Sequence, residues 1–145
     1  MAGNLSGRPC VILDTTTLLR AVPTRSPLRP IIQAFEEGRF LLVVSNDVLL
    51  EYEEILNQLG GATAWSSFRD LLDARAGNTT FVDPSYRWNA IRFDQDDNKF
   101  VDAAVAGNAE WIVTDDSHFN DLNTDTRLVV RPLHPQAFVD RYCRT

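Results

Sequence analysis

No run among the 145 residues approaches the roughly 18 consecutive apolar positions that a membrane-spanning helix needs. The opening MAGNLSGRPC also lacks the basic start and apolar stretch of an export signal, so the cytoplasm is the expected location and no membrane contact is expected. Cysteine is scarce. Cys10 and Cys143 stand near opposite ends without the paired spacing of a zinc site, and Cys10 falls within a run that reads as a buried strand, so both read as structural thiols. Lysine is scarcer still, with Lys99 alone against thirteen arginines. The formal charge of −6 excludes a general nucleic-acid coat, because counterion release rewards cations in the contact surface. A local groove stays open to the chain. Arg20, Arg25 and Arg29 cluster in LRAVPTRSPLR, where guanidinium groups either grip phosphate bidentately or stand in water.

Several catalytic signatures are missing as well. There is no GxxxxGK[ST] phosphate loop, no GxGxxG and no GxSxG nucleophile elbow. DTTT after the first apolar run invites comparison with haloacid-dehalogenase phosphatases, but these require a second Asp where Thr16 stands. His118 and His134 are the only imidazoles; His118 adjoins an acidic pair, where a surface or supporting position suits it better than a ligand position.

What remains is enough for a core: 44% of residues are hydrophobic, and the chain reads as one domain over residues 1–145 with its core at about 9–140. RPCVILD, GRFLLVVS, EWIVTDD and RLVVRPL are uninterrupted apolar runs, as expected of strands covered on two faces, and NTTFVD adds a further candidate. Helical periodicity falls between them, over Leu28 to Glu37, Asp47 to Leu59, Ala64 to Ala76 and Asp96 to Ala106, with a short helix after Pro135. PSYRWNAIRF reads as a connector. This alternation predicts an α/β fold with a parallel sheet wrapped by helices.

In such a sheet, ligands collect beyond the carboxyl ends of the strands. Two strands deliver acid there: Asp14 after VIL, and Asp115 with Asp116 after WIVT. Each has a plain use as a helix N-cap or first-turn residue. In RFDQDDNKFVDAAVAG the helical wheel sets Phe100, Val101, Ala104 and Val105 on one apolar face with Asp97 in line, while Asp102 points away. Dipole stabilisation suits Asp94 and Asp96 better than Asp97. The helix from Asp47 places Val48, Leu49, Tyr52, Ile55, Leu56 and Leu59 in its core stripe, and periodicity does not choose between Glu51 and Glu53 on its borders. Carboxylates crowded together in low dielectric are relieved by protonation or a cation, and oxygen-only ligands suit Mg²⁺ or Mn²⁺.

These pieces resemble the PIN (PilT N-terminus) domain family, nucleases that include the VapC toxins of toxin–antitoxin systems. VILDTTTLL is similar to the family's opening LDTNVL, VVSNDVLLEYEEIL to its serine followed by an acid-bearing helix, and DQDDNKFVDAAVAGNAEWIVTDDSHF to its D-D-x-x-F-x-x-A-x-x-x-x-A-x-x-I-V-T-x-D pattern. The resemblance runs from Val11 to about Phe138 and implies a three-layer α/β/α fold with a five-stranded parallel sheet of order 3-2-1-4-5. It implies Mg²⁺- or Mn²⁺-dependent cleavage of single-stranded or structured RNA. The catalytic and metal-holding acids become Asp14, Glu51 rather than Glu53, Asp97, and Asp116 rather than Asp115. Thr16, Thr114, Asp115, His118 and Arg20 become the surrounding or substrate-facing residues. A cognate antitoxin and a homodimer are the implied partners. Two departures bear on activity: Thr16 replaces the family's usual Asn, and His118 stands where many members carry another acid. They leave room for a module that binds RNA or protein without cutting; a small α/β phosphohydrolase acting on nucleotides is a third reading.

Overall fold

The computed structural model describes residues 7–92 and 94–144. Five strands, β1 (Cys10–Leu13), β2 (Leu41–Ser45), β3 (Thr79–Val82), β4 (Trp111–Val113) and β5 (Arg131–Leu133), form one parallel sheet in the order 3-2-1-4-5, as expected. Val11, Ile12 and Leu13 are each at most 1% exposed, which requires cover on both faces of the central strand. That cover comes from α1 (Thr15–Ala21), α2 (Arg29–Glu36), α3 (Asn46–Leu59), α4 (Ala64–Ala74), α5 (Asn98–Ala106) and α6 (Pro135–Phe138).

Register sets what meets at the carboxyl edge. Leu13 lies opposite Val113 across β1 and β4, so the next residues, Asp14 and Thr114, leave the sheet side by side. The Asp14 N–H donates to Val113 O at 3.1 Å, and the Thr17 hydroxyl donates to the same carbonyl at 2.9 Å. Helix α3 is tied to this edge by buried Tyr52, whose hydroxyl donates to Leu13 O at 2.5 Å. Its neighbour Glu51 is thereby carried to the end of β1. At the far end of α5, Gly107 is needed for close approach: a Cβ there would lie 2.8 Å from a Val43 methyl on β2.

Three sequence expectations change, and helix α1 stands where none was expected. A run of three threonines has weak helix propensity, but here Thr15 and Thr17 are buried and packing decides. The expected helix from Asp96 begins as a 3₁₀ turn over Gln95–Asp97 before α5 takes over at Asn98. The expected strand RLVVRPL shrinks to Arg131–Leu133, and Pro132, which has no N–H to donate, is tolerated because β5 is an edge strand. Leu59, expected in the core stripe of α3, is 69% exposed, since the chain turns at Gly60 and Gly61 before α4 can cover it. Both cysteines are buried, and burial pushes their thiols up, Cys10 to about 11 and Cys143 to about 12, which suits unreactive packing residues.

Candidate active site

Asp14 and Asp97 both occupy helix N-cap positions, of α1 and α5, yet neither side chain caps its helix. Capping therefore does not account for them. Asp14 is 7% exposed and accepts a hydrogen bond from the Thr114 hydroxyl at 2.8 Å. Thr114 in turn accepts from the Asp116 N–H at 3.0 Å, so one hydroxyl links two acids from neighbouring strand ends. Asp116 does cap, accepting from the His118 N–H at 2.9 Å through Oδ1. Oδ2 of Asp97 is buried and has no hydrogen-bond partner among the described residues.

One cleft of about 750 Å³ gathers these groups. Asp14, Glu51, Asp97 and Asp116 all line it, with Asp94, Asp96, Asp47 and Glu54 around them. Four separate segments thus bring acid to one edge of the sheet. Burial, with the charges of Asp116 and Glu51 adding, pushes Asp14 up to about 6 against the Thr114 hydrogen bond. Burial also pushes Asp97 up to about 7, reinforced by Asp94, Asp14 and Asp116 and opposed by His118. Raised carboxylate pKa values are what mutual repulsion in a poorly solvated cleft produces. A divalent cation is the other way to relieve it, and the donor set, all carboxylate with one nearby imidazole, fits a hard ion. Ligand atoms of Asp94, Asp97 and His118 lie within 4.8 Å of one another, close enough to share an ion.

The family model described as PIN domain matches residues 10–118, three quarters of the chain and every acid named above. The chain belongs to the PIN domain family. Its fold is similar to that of a chain in the structure titled VapBC2 from Rickettsia felis bound to a DNA fragment from their promoter, at 14% identity and a TM-score of 0.54. That likeness covers 86% of this chain and 98% of the other. No curated protein matches in sequence.

Within this PIN domain the remaining sequence candidates separate. Thr16 is exposed and lines the cleft, whereas its neighbour Thr15, which the motifs do not single out, donates its hydroxyl to Glu51 Oε2. Asp115 turns outward to pair with Arg20 at 2.6 Å, and neither lines the cleft. Arg29 is spent on the Val22 carbonyl. His118 places Nδ1 3.6 Å from Asp116 and 3.8 Å from Asp97. Asp102 serves the connector, accepting from the Trp88 N–H at 3.0 Å.

Two participants escape the sequence reading. Asp94 does cap the 3₁₀ turn, accepting from Asp96 N at 3.0 Å, but it also belongs to the group around Asp97. Lys99 places Nζ 2.8 Å from Glu51 Oε1. Burial works against that ammonium, but the hydrogen bond and charge of Glu51, with Asp96 and Asp47, outweigh it and hold its pKa above the ordinary lysine value. The signal available is that the only lysine stands two residues after Asp97.

Linkage turns these shifts into a pH prediction. Asp14 and Asp97 hold protons to about 6 and about 7 in the folded state and release them near 3.8 when unfolded. Between those values the folded state binds more protons, so stability falls as pH rises. In chelator, the thermal midpoint should therefore decline from about pH 5 to about pH 8, and Asp97→Asn should flatten the decline. A wild-type midpoint that climbs across that range contradicts the shifts.

Proposed function

We propose that this PIN domain is a divalent-metal-dependent endoribonuclease, working with Mg²⁺ or Mn²⁺, and the toxin half of a toxin–antitoxin pair acting in the cytoplasm. The observation that carries the reading is the convergence of Asp14, Glu51, Asp97 and Asp116, from four segments, on one cleft. When bound, the ion supplies Lewis acidity toward a phosphodiester and stabilises charge on the leaving oxygen. Asp14, Asp97 and Asp116 would hold the ion, and Glu51, engaged by Lys99 and Thr15, forms the adjoining wall. Thr114 orients Asp14 and fixes the backbone at Asp116. A second polar cleft shares Asp47, Asp96 and Lys99 with the first and is lined by Asn46, Arg87 and exposed Tyr86. Asp83 and Asp102 line it too, and it offers an RNA strand Arg87 and Lys99 as cations and Tyr86 as an aromatic face for a base. The pairing with an antitoxin is supported by the sequence motifs and by the likeness in fold to a chain of VapBC2.

Purified protein incubated with single-stranded and structured RNAs should cleave them with Mn²⁺ and not in chelator, and Asp14→Asn should abolish the cleavage. Equal cleavage by wild type and variant would assign the activity to a contaminant or another site. Release of phosphate from mononucleotides, without oligonucleotide cutting, would favour a phosphohydrolase instead. Calorimetric absence of Mn²⁺ binding at millimolar concentration would favour a module that binds without cutting.

A further inference from the structure

The four acids of the cleft do not stand alike. Both carboxylate oxygens of Glu51 are already engaged: Oε1 by the Lys99 ammonium at 2.8 Å and Oε2 by the Thr15 hydroxyl. The side chains of Lys99 and Glu51 are each only 25% exposed, so the pair is held within the wall of the cleft rather than waving in water. On the aspartate side the opposite holds. Asp97 Oδ2 has no hydrogen-bond partner among the described residues, with His118 Nδ1 3.8 Å away, while Asp14 accepts from the Thr114 hydroxyl through Oδ2 and Asp116 from the His118 N–H through Oδ1. The ammonium thus neutralises the negative charge of the cleft at one corner and leaves it open at the other.

We infer that Lys99 is a resident second cation: it holds Glu51 as a positioned carboxylate and confines the site to a single divalent ion on the Asp14, Asp97 and Asp116 side. The inference rests on the metal-cup reading above and deepens it, because that reading is silent on how many ions bind. Helix geometry makes the arrangement specific. Helix α5 packs against α3, so a side chain two residues past Asp97 reaches across to Glu51, 48 residues earlier in the chain. An ammonium on a four-carbon stem acts there as a compact point charge, which is the part a second metal ion would otherwise take. Lys99 also borders both clefts, so its charge faces any phosphate bridging them.

Counting bound Mn²⁺ by the paramagnetic resonance signal of the free ion tests this without reference to activity. Wild type should bind one Mn²⁺ per chain. Glu51→Gln should change that affinity by no more than about 3-fold, whereas Asp97→Asn should lose roughly 100-fold or more. Lys99→Met, which removes the charge and keeps the stem, should admit a second Mn²⁺, and Lys99→Arg should restore a stoichiometry of one. Two ions in wild type, or a Glu51→Gln loss as large as that of Asp97→Asn, would overturn the inference and leave the metal cup standing. A Lys99→Met protein that still binds a single ion with wild-type affinity would overturn it equally. Failure of wild type to bind any Mn²⁺ at millimolar concentration would instead remove the reading on which it rests.

Discussion

Asp97→Asn should cost the protein roughly 100-fold or more in Mn²⁺ affinity while raising the thermal midpoint of the metal-free fold. Even residues that only support a metal ligand typically contribute roughly 10- to 100-fold, so loss of a ligand should reach or exceed that range. The opposite sign for stability follows from the same geometry. Without metal, Asp97 is a poorly solvated carboxylate facing Asp94, Asp14 and Asp116, with Oδ2 unbonded among the described residues. An amide of the same shape removes the repulsion. Because the carboxyl is held at about 7, the gain should be largest above neutral pH, where the wild-type group is charged, and small near pH 5, where it is protonated. Melts in chelator and calorimetric titration with Mn²⁺ read the two effects separately. A variant that loses stability in chelator at about pH 8 would contradict the crowding of charge on which the site is argued.

Thr114→Val should be damaging in both respects. The hydroxyl is buried, donates to Asp14 Oδ2 and accepts from the Asp116 N–H, so valine of similar shape takes a partner from the buried Asp14 carboxylate and from the part-buried Asp116 N–H. Leaving a buried group unpaired costs about 1–3 kcal/mol, and a urea midpoint should fall accordingly. Removing the bond that opposes burial at Asp14 should also lift that carboxyl further, so protons compete with metal more strongly at neutral pH. A weakening of Mn²⁺ binding of roughly 10- to 100-fold is expected. Thr114→Ser, which keeps the hydroxyl, should recover most of the binding. Near-identical metal affinity in the valine and wild-type proteins would mean that Asp14 needs no orienting partner.

The sheet is legible in the sequence because buried parallel strands are written as continuous apolar runs, and Asp14 and the pair Asp115 and Asp116 are legible because they close such runs; the choice of Asp116 comes from the family resemblance. Asp97 is legible from the helical wheel even though it sits in the 3₁₀ turn before α5, since one turn of either helix keeps it near the apolar seam. Glu51 is not separable from Glu53 by periodicity. Its position is set by a contact far along the chain, the Tyr52 hydroxyl on the Leu13 carbonyl, and patterns of period 3.6 carry faces rather than partners. Lys99 escapes for the same reason. Nothing within DDNKF assigns it a partner, and only the packing of α5 against α3 makes it the counterion of Glu51. Asp94 reads as a helix-start residue, and it is one; the fold gives it a second neighbourhood beside Asp97 and His118. Helix α1 is hidden because its threonines argue against a helix while the buried faces of Thr15 and Thr17 argue for it.

The central claim is that acids from distant parts of the chain share a divalent ion in one cleft. Crystals grown with Mn²⁺ and measured at a wavelength where manganese scatters anomalously test it most directly. One anomalous peak among the carboxylates of Asp14, Asp97 and Asp116 is the predicted result. A peak elsewhere on the surface, or none at millimolar Mn²⁺, would contradict it.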